Sequence, residues 1–212
     1  MTSKLGELRK VFDSLHGNEV EFIFLRGFSD VPKKVSLSND LDILCKPKHK
    51  KTIEVLFSQL GYKCSEDSRD KNIYLYNAEP HQHFFCRKRD LHFDIVYSLA
   101  YQSPNHNEWV SVHQEIQKSI WKNKKRVQDI WFFQPDNTDL AIHLICHSIF
   151  DKREFRRKHI KELETITPYI DFDKYRHLLT LIFFKFTPYL IKLIENKDYE
   201  SVFASYMMFK EY

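Results

Sequence analysis

Glycine is scarce in this sequence, with only four among 212 residues, so each is read for a backbone need of its own. Cysteine is as sparse. Cys45, Cys64, Cys86 and Cys146 show no Cys-x-x-Cys spacing, and no signal peptide is expected. Free thiols in a reducing, cytoplasmic setting are the simplest account. Long apolar runs are missing too. The most apolar one, Leu178 to Ile194, is interrupted by Lys185, Pro188 and Lys192, and reads as too short and too broken to span a bilayer. There are no internal repeats or low-complexity segments. Neither sign of charge dominates: 33 Lys and Arg against 29 Asp and Glu leave a formal net charge of +4. That balance fits a binder of phosphorylated small molecules or of nucleic acid and requires neither.

Aromatic residues are abundant, at 15% of the chain. The length suits one medium domain, or a domain with a helical extension, and buries a sizeable core. The order of patterns divides the chain into an α/β region over residues 1–134 and a helical region over 135–212. Residues 3–16 read as an amphipathic helix with Leu5, Leu8, Phe12 and Leu15 on one face. Val20 to Leu25 is a strand running into Arg26-Gly27-Phe28-Ser29. Pro47 to Leu60 is a helix with Pro47 in its first turn, an Ile53, Leu56, Phe57 and Leu60 stripe, and Gly61 closing it.

The stretch Ser38-Asn39-Asp40-Leu41-Asp42-Ile43-Leu44-Cys45 organises the rest. On a strand, side chains alternate faces, so Asp40 and Asp42 point one way while Leu41, Ile43 and Cys45 point the other. Two adjacent carboxylates are most easily tolerated with a cation between them, and hard oxygen ligands of this kind suit Mg²⁺. The plainer reading is the solvated face of a sheet. Leu91 to Tyr97 forms a later strand that carries a lone acid, Asp94.

Strand, glycine turn, Asp-x-Asp strand and lone-Asp strand, in that order, resemble the nucleotidyltransferase fold of the DNA polymerase β superfamily, in its minimal branches. The resemblance covers roughly residues 18–98 by motif. It implies that Asp40, Asp42 and Asp94 are the catalytic and metal-ligating residues for Mg²⁺ or Mn²⁺. It also implies that Arg26, Gly27, Ser29 and Lys33 hold the phosphates of ATP or another nucleoside triphosphate. The chain departs from the family pattern at Phe28, which follows Gly27 and displaces the serine to position 29. Lys33 and Lys34 could hold phosphates above the metal pair, although a surface loop carrying two lysines is the commoner explanation.

Three short strands are expected near Asn72–Tyr76, His81–Cys86 and Leu91–Tyr97, the last two joined by the polar turn Arg87-Lys88-Arg89-Asp90. His81 and His83 share a face, as do His92 and Asp94. Imidazoles lining a sheet are usually hydrogen-bonded rather than metal-bound, and His92 is kept as a substrate contact. Trp109–Trp121 reads as a helix and Asp129–Gln134 as a strand. Asp136 caps a helix through Leu140, Leu144, Ile145 and Ile149, whose His143 and His147 read as interdomain polar contacts. Helices are expected over about 158–166, 173–187 and 197–210, with Phe203, Tyr206 and Phe209 in the core or at the seam of a homodimer.

The expected fold is therefore α+β: a small mixed β-sheet flanked by helices, followed by a C-terminal helical bundle. The expected function is metal-dependent transfer of a nucleoside monophosphate from a nucleoside triphosphate to a hydroxyl acceptor, by a two-metal mechanism. A small molecule or protein is favoured as acceptor over nucleic acid, and no membrane partner is expected. The alternative is a catalytically inactive protein of the same fold that binds a nucleotide or a protein partner, as in a toxin–antitoxin pair.

Overall fold

A computed structural model describes residues 4–27, 31, 35–66, 71–104, 107–127 and 132–211. By packing, the chain divides into two compact units, Met1–Ala100 with Lys124–Pro135, and Tyr101–Asn123 with Asp136–Tyr212. The expected α+β class holds. Ser29 and Lys33, both assigned to the phosphate loop above, lie outside the described residues.

The first unit is a five-stranded sheet with two helices on one face. Its strands are β1 (Phe22–Phe24), β2 (Leu41–Cys45), β3 (Lys63–Glu66), β5 (Gln82–Cys86) and β6 (Leu91–Val96), with the two-residue β4 (Tyr74–Leu75) lying outside this sheet. The sheet order is β1-β2-β6-β5-β3. β2 and β6 are parallel, and the other neighbours are antiparallel. Alternation decides the faces. Leu41, Ile43 and Cys45 of β2, with Leu91, Phe93 and Ile95 of β6, join one buried cluster. Helices α1 (Lys4–Gly17) and α2 (Lys50–Gln59) close over it with Leu8, Val11, Phe12 and Leu15, and with Ile53, Leu56 and Phe57. These spacings place each set on one side of its helix. The other sheet face carries Asp42 and Asp94.

The end of α2 is built by its sequence. Gly61 takes φ +80°, its N–H donates to Ser58 O at 2.9 Å, and the Tyr62 N–H donates to Phe57 O at 2.9 Å. This double bond is a Schellman motif, completed by an edge-on contact of the Tyr62 and Phe57 rings at 5.3 Å. Phe57 also stacks on Phe84 at 4.4 Å and meets Phe93 edge-on at 5.2 Å. The turn thus leads directly into β3, which the sequence reading missed: Lys-Cys-Ser-Glu has no apolar alternation.

Residues 101–123, counted above with the first region, pack with the helical unit because α4 (Asn137–Cys146) holds them. The Tyr101 hydroxyl and His143 Nδ1 are 2.8 Å apart, and the Ser119 hydroxyl donates to Asp139 Oδ1 at 2.7 Å. Trp109–Trp121 is not one helix. Trp109–Ser111 forms β8, hydrogen-bonded to β7 (Ala100–Gln102), and α3 spans Gln114–Lys122. The His113 ring caps α3, accepting from the Glu115 N–H at 3.3 Å. The strand expected from Asp129 is described only at its end, as β10 (Phe133–Gln134) pairing β9 (Lys125–Arg126) in the first unit. Likewise Asn72–Tyr76 is a 3-10 turn with the short β4.

As expected, Asp136 caps α4, accepting from the Asp139 N–H at 2.8 Å. A π-helical turn, His147–Lys152, follows, then α5 (Arg157–Ile166), α6 (Phe172–Phe183), α7 (Thr187–Glu195) and α8 (Tyr199–Met208). The helix expected over 173–187 ends early: Phe184 turns to φ 46°, and Pro188 sits in the first turn of α7. By length and composition alone Phe172–Glu195 is apolar enough to cross a membrane. Here it is two helices whose Tyr175, Leu178, Leu179, Phe183, Leu190 and Ile191 are buried. His143 and His147 bond to Tyr101 and to Asp151 Oδ2, each at 2.8 Å, and so knit the helical unit internally.

Candidate metal and nucleotide site

Parallel pairing of β2 and β6 sets Asp42 directly opposite Asp94, and antiparallel pairing of β6 and β5 sets Asp94 opposite His83. Asp40 stands two residues before Asp42, at the mouth of β2. The three carboxylates each present an oxygen such that all three oxygens lie within 4.8 Å of one another. Asp40 is exposed, while Asp42 and Asp94 are 8% and 9% exposed. All three acids expected from the sequence therefore meet.

Arg26 and Gly27 reach the same corner. Strand pairing continues past β1, with the Leu25 N–H donating to Asp42 O at 2.9 Å, so the next residue falls beside the acids. Arg26 Nη2 lies 2.5 Å from Asp42 Oδ1. The chain then turns at Gly27, whose φ is +76° and whose missing Cβ would meet nothing within 4 Å among the described residues. The need here is conformational. Gly27→Ala should destabilise the protein by about 1 kcal/mol, the left-handed penalty without a clash, read from urea unfolding midpoints.

Electrostatics separate the two buried acids. Burial, resisted by Arg26 but reinforced by the charges of Asp40 and Asp94, pushes the Asp42 carboxyl up to about 7. Burial acts on Asp94 as well, yet contact with His81 and the positive fields of His81, His83 and Arg26 outweigh it and hold that carboxyl below its ordinary range. His81 Nδ1 lies 3.3 Å and His83 Nδ1 3.7 Å from Asp94 Oδ1. Neither contact meets hydrogen-bond geometry, the His83 one being too long, so this buried oxygen has no donor among the described residues. His92 pairs with His83, its Nε2 being 3.1 Å from His83 Nδ1. The sequence placed His92 with Asp94 by face but gave no sign that His81, lying just before β5, would reach the acid.

A divalent ion fits this donor set. Three convergent carboxylates are the hard oxygen ligands that Mg²⁺ and Mn²⁺ prefer. A cation would also relieve two features: the undonated Oδ1 of Asp94 and the suppressed ionisation of Asp42.

Comparison with known proteins turns on shape. No family model and no curated protein matches the sequence. The solution structure of the antibiotic-resistance factor ANT(2'')-Ia superposes with TM-score 0.53 at 11% identity, over 92% of this chain and 96% of that one. The crystal structure of ANT(2'')-Ia in complex with adenylyl-2''-tobramycin gives TM-score 0.51 at 10% identity, over 84% of this chain and 95% of that one. This is a nucleotidyltransferase fold. At such identities the likeness establishes the fold alone, and within the nucleotidyltransferase fold the acids of this chain must carry the argument about chemistry.

Proposed function

We propose that the chain is a metal-dependent nucleotidyltransferase, transferring a nucleoside monophosphate from a nucleoside triphosphate to a hydroxyl of a small-molecule acceptor. The observation that carries this reading is the convergence of Asp40, Asp42 and Asp94 within 4.8 Å on a nucleotidyltransferase fold. The solved neighbour bound to adenylyl-2''-tobramycin favours a small hydroxylated acceptor over a nucleic-acid end. Four free cysteines, two of them buried, agree with a cytoplasmic location.

Asp40, Asp42 and Asp94 would hold Mg²⁺ or Mn²⁺, which supplies charge neutralisation for an in-line displacement at the α-phosphorus, the two-metal arrangement included. The protein groups do the rest. Asp94 accepts the proton of the attacking hydroxyl as the new P–O bond forms and the α–β bridging P–O bond breaks to release pyrophosphate. Arg26 and the backbone turn at Gly27 would face the phosphates, and the family resemblance assigns Ser29 and Lys33 to the same role. A guanidinium carries five N–H donors in a fixed fork, a geometry suited to phosphate oxygens as well as to a carboxylate. Arg26→Gln should therefore raise the Kd for Mg²⁺–nucleotide about tenfold in calorimetry. An unchanged Kd would confine Arg26 to Asp42.

The direct test uses nucleoside triphosphates labelled at the α-phosphate, Mg²⁺, and a panel of sugars and aminoglycosides. Label appearing on an acceptor together with pyrophosphate supports the reading. Nucleotide binding with no turnover on any acceptor favours the inactive, nucleotide-binding alternative.

A further inference from the structure

The three carboxylates sit in unequal surroundings. Asp42 is held by Arg26, Asp40 is open, and Asp94 is flanked by imidazoles on the side away from Asp42. A buried carboxylate turns freely about its last side-chain bond unless something fixes it, because that sp³–sp² torsion has no sharp wells. Whether Asp94 meets Asp40 and Asp42 at one point therefore depends on what faces its oxygens.

Three histidines share that face, and distance singles out one of them. His83 Nδ1 is 3.1 Å from His92 Nε2 but 3.7 Å from Asp94 Oδ1. Its nearer bond is to the other imidazole, and the longer distance is beyond a hydrogen bond. His92 is engaged in the same pair. His81 Nδ1 stands 3.3 Å from Oδ1, and its side chain is only 17% exposed. That distance is within hydrogen-bond reach of an oxygen that has no donor among the described residues. Hydrogen bonds of this kind are often loose in a ligand-free site and tighten when it is loaded.

We propose that His81 is a positioning residue for Asp94: its Nδ1–H holds Oδ1 and so fixes the carboxylate plane that presents Asp94 to the same point as Asp40 and Asp42. The inference rests on the metal-site reading above. Outer partners of ligating carboxylates are worth roughly 10–100-fold in metal affinity. His81 lies before β5 rather than within it, so it reaches Asp94 as a diagonal neighbour, which the ladder itself does not dictate.

The test is Mn²⁺ alone, titrated by electron paramagnetic resonance into nucleotide-free protein. The proteins are wild type, His81→Ala, His81→Asn, His83→Ala and the double variant Asp40→Asn/Asp42→Asn. His81→Ala should weaken Mn²⁺ binding about tenfold or more. His81→Asn, which keeps a short side-chain N–H donor, should recover most of that loss, and His83→Ala should change affinity much less. A merely structural role predicts a lowered melting temperature in both His81 variants with no rescue by Asn. If His81→Ala binds Mn²⁺ as wild type does, or more tightly, while the double aspartate variant loses it, the positioning role is overturned and the metal site stands. If wild type binds no Mn²⁺, or the double variant binds as well as wild type, both fall together.

Discussion

Asp42→Asn should lower nucleotidyl transfer by about 10³-fold, roughly 4 kcal/mol of transition-state stabilisation, without unfolding the protein. The same change should stabilise the metal-free protein above neutral pH, because the native fold raises the Asp42 carboxyl from 3.8 to about 7. An acid raised in the folded state binds its proton more tightly there than in the unfolded chain. Its contribution is fully favourable below about 4 and is lost as pH climbs toward 7. At roughly 1.4 kcal/mol for each tenfold change in proton affinity, the loss has an upper bound of about 4 kcal/mol. In EDTA, wild-type melting temperature should therefore fall between pH 4 and 7 through this group, while Asp94, whose shift has the opposite sign, acts below that window, adding stability as pH rises toward about 4. The Asp42→Asn protein should lack the Asp42 part of that fall. Loss of activity accompanied by loss of stability at pH 8 would show Asp42 to be a structural partner of Arg26 instead.

Lys174→Met should cost about 3 kcal/mol in urea unfolding, the scale for removing one partner of a buried ion pair. Lys174 Nζ lies 2.9 Å from Asp136 Oδ2 and 3.0 Å from Asp139 Oδ2, joining α6 to the start of α4. The Asp139 side chain is 2% exposed. Burial together with the charge of Asp136 already raises its carboxyl, against the Ser119 hydroxyl and Lys174. Without the ammonium, two neighbouring acids remain with the Ser119 hydroxyl and the Asp139 N–H as donors and no opposing charge from Lys174. Replacing the whole triad, with Asp136→Asn to keep the cap and Asp139→Leu beside Lys174→Met, should restore much of the loss, since an apolar substitute for a buried ionic group is often neutral or better. A loss under about 1 kcal/mol for Lys174→Met would place the triad in solvent-like surroundings.

The site was legible where period and pairing agree. Asp40 and Asp42 are two apart in a run of strand formers, and Asp94 sits among Leu91, Phe93 and Ile95, so their faces follow from alternation alone. Which strands pair does not follow from it. That β6 lies parallel to β2 and brings Asp94 opposite Asp42 is a property of the sheet order, as is the arrival of Arg26 beside Asp42. Local pattern also failed where tertiary pairing overrides it. Trp109-Val110-Ser111 is apolar enough to prolong a helix, but β7 draws it into a ladder. Lys63-Cys64-Ser65-Glu66 is polar throughout and becomes a strand because the Gly61 turn delivers it to β5. The break at Phe184 was concealed by the apolar stripe on either side, although Pro188 marked the new helix. His81 was visible only as the partner of His83 on a shared face; its approach to Asp94 depends on the residues outside the ladder.

The most direct measurement is a calorimetric titration of nucleoside triphosphates, with and without Mg²⁺, into wild type and Asp40→Asn/Asp42→Asn. The metal-dependent nucleotidyltransferase account predicts binding that requires Mg²⁺ and disappears in the double variant. Binding that is equally tight without Mg²⁺, or that survives loss of both aspartates, would contradict it.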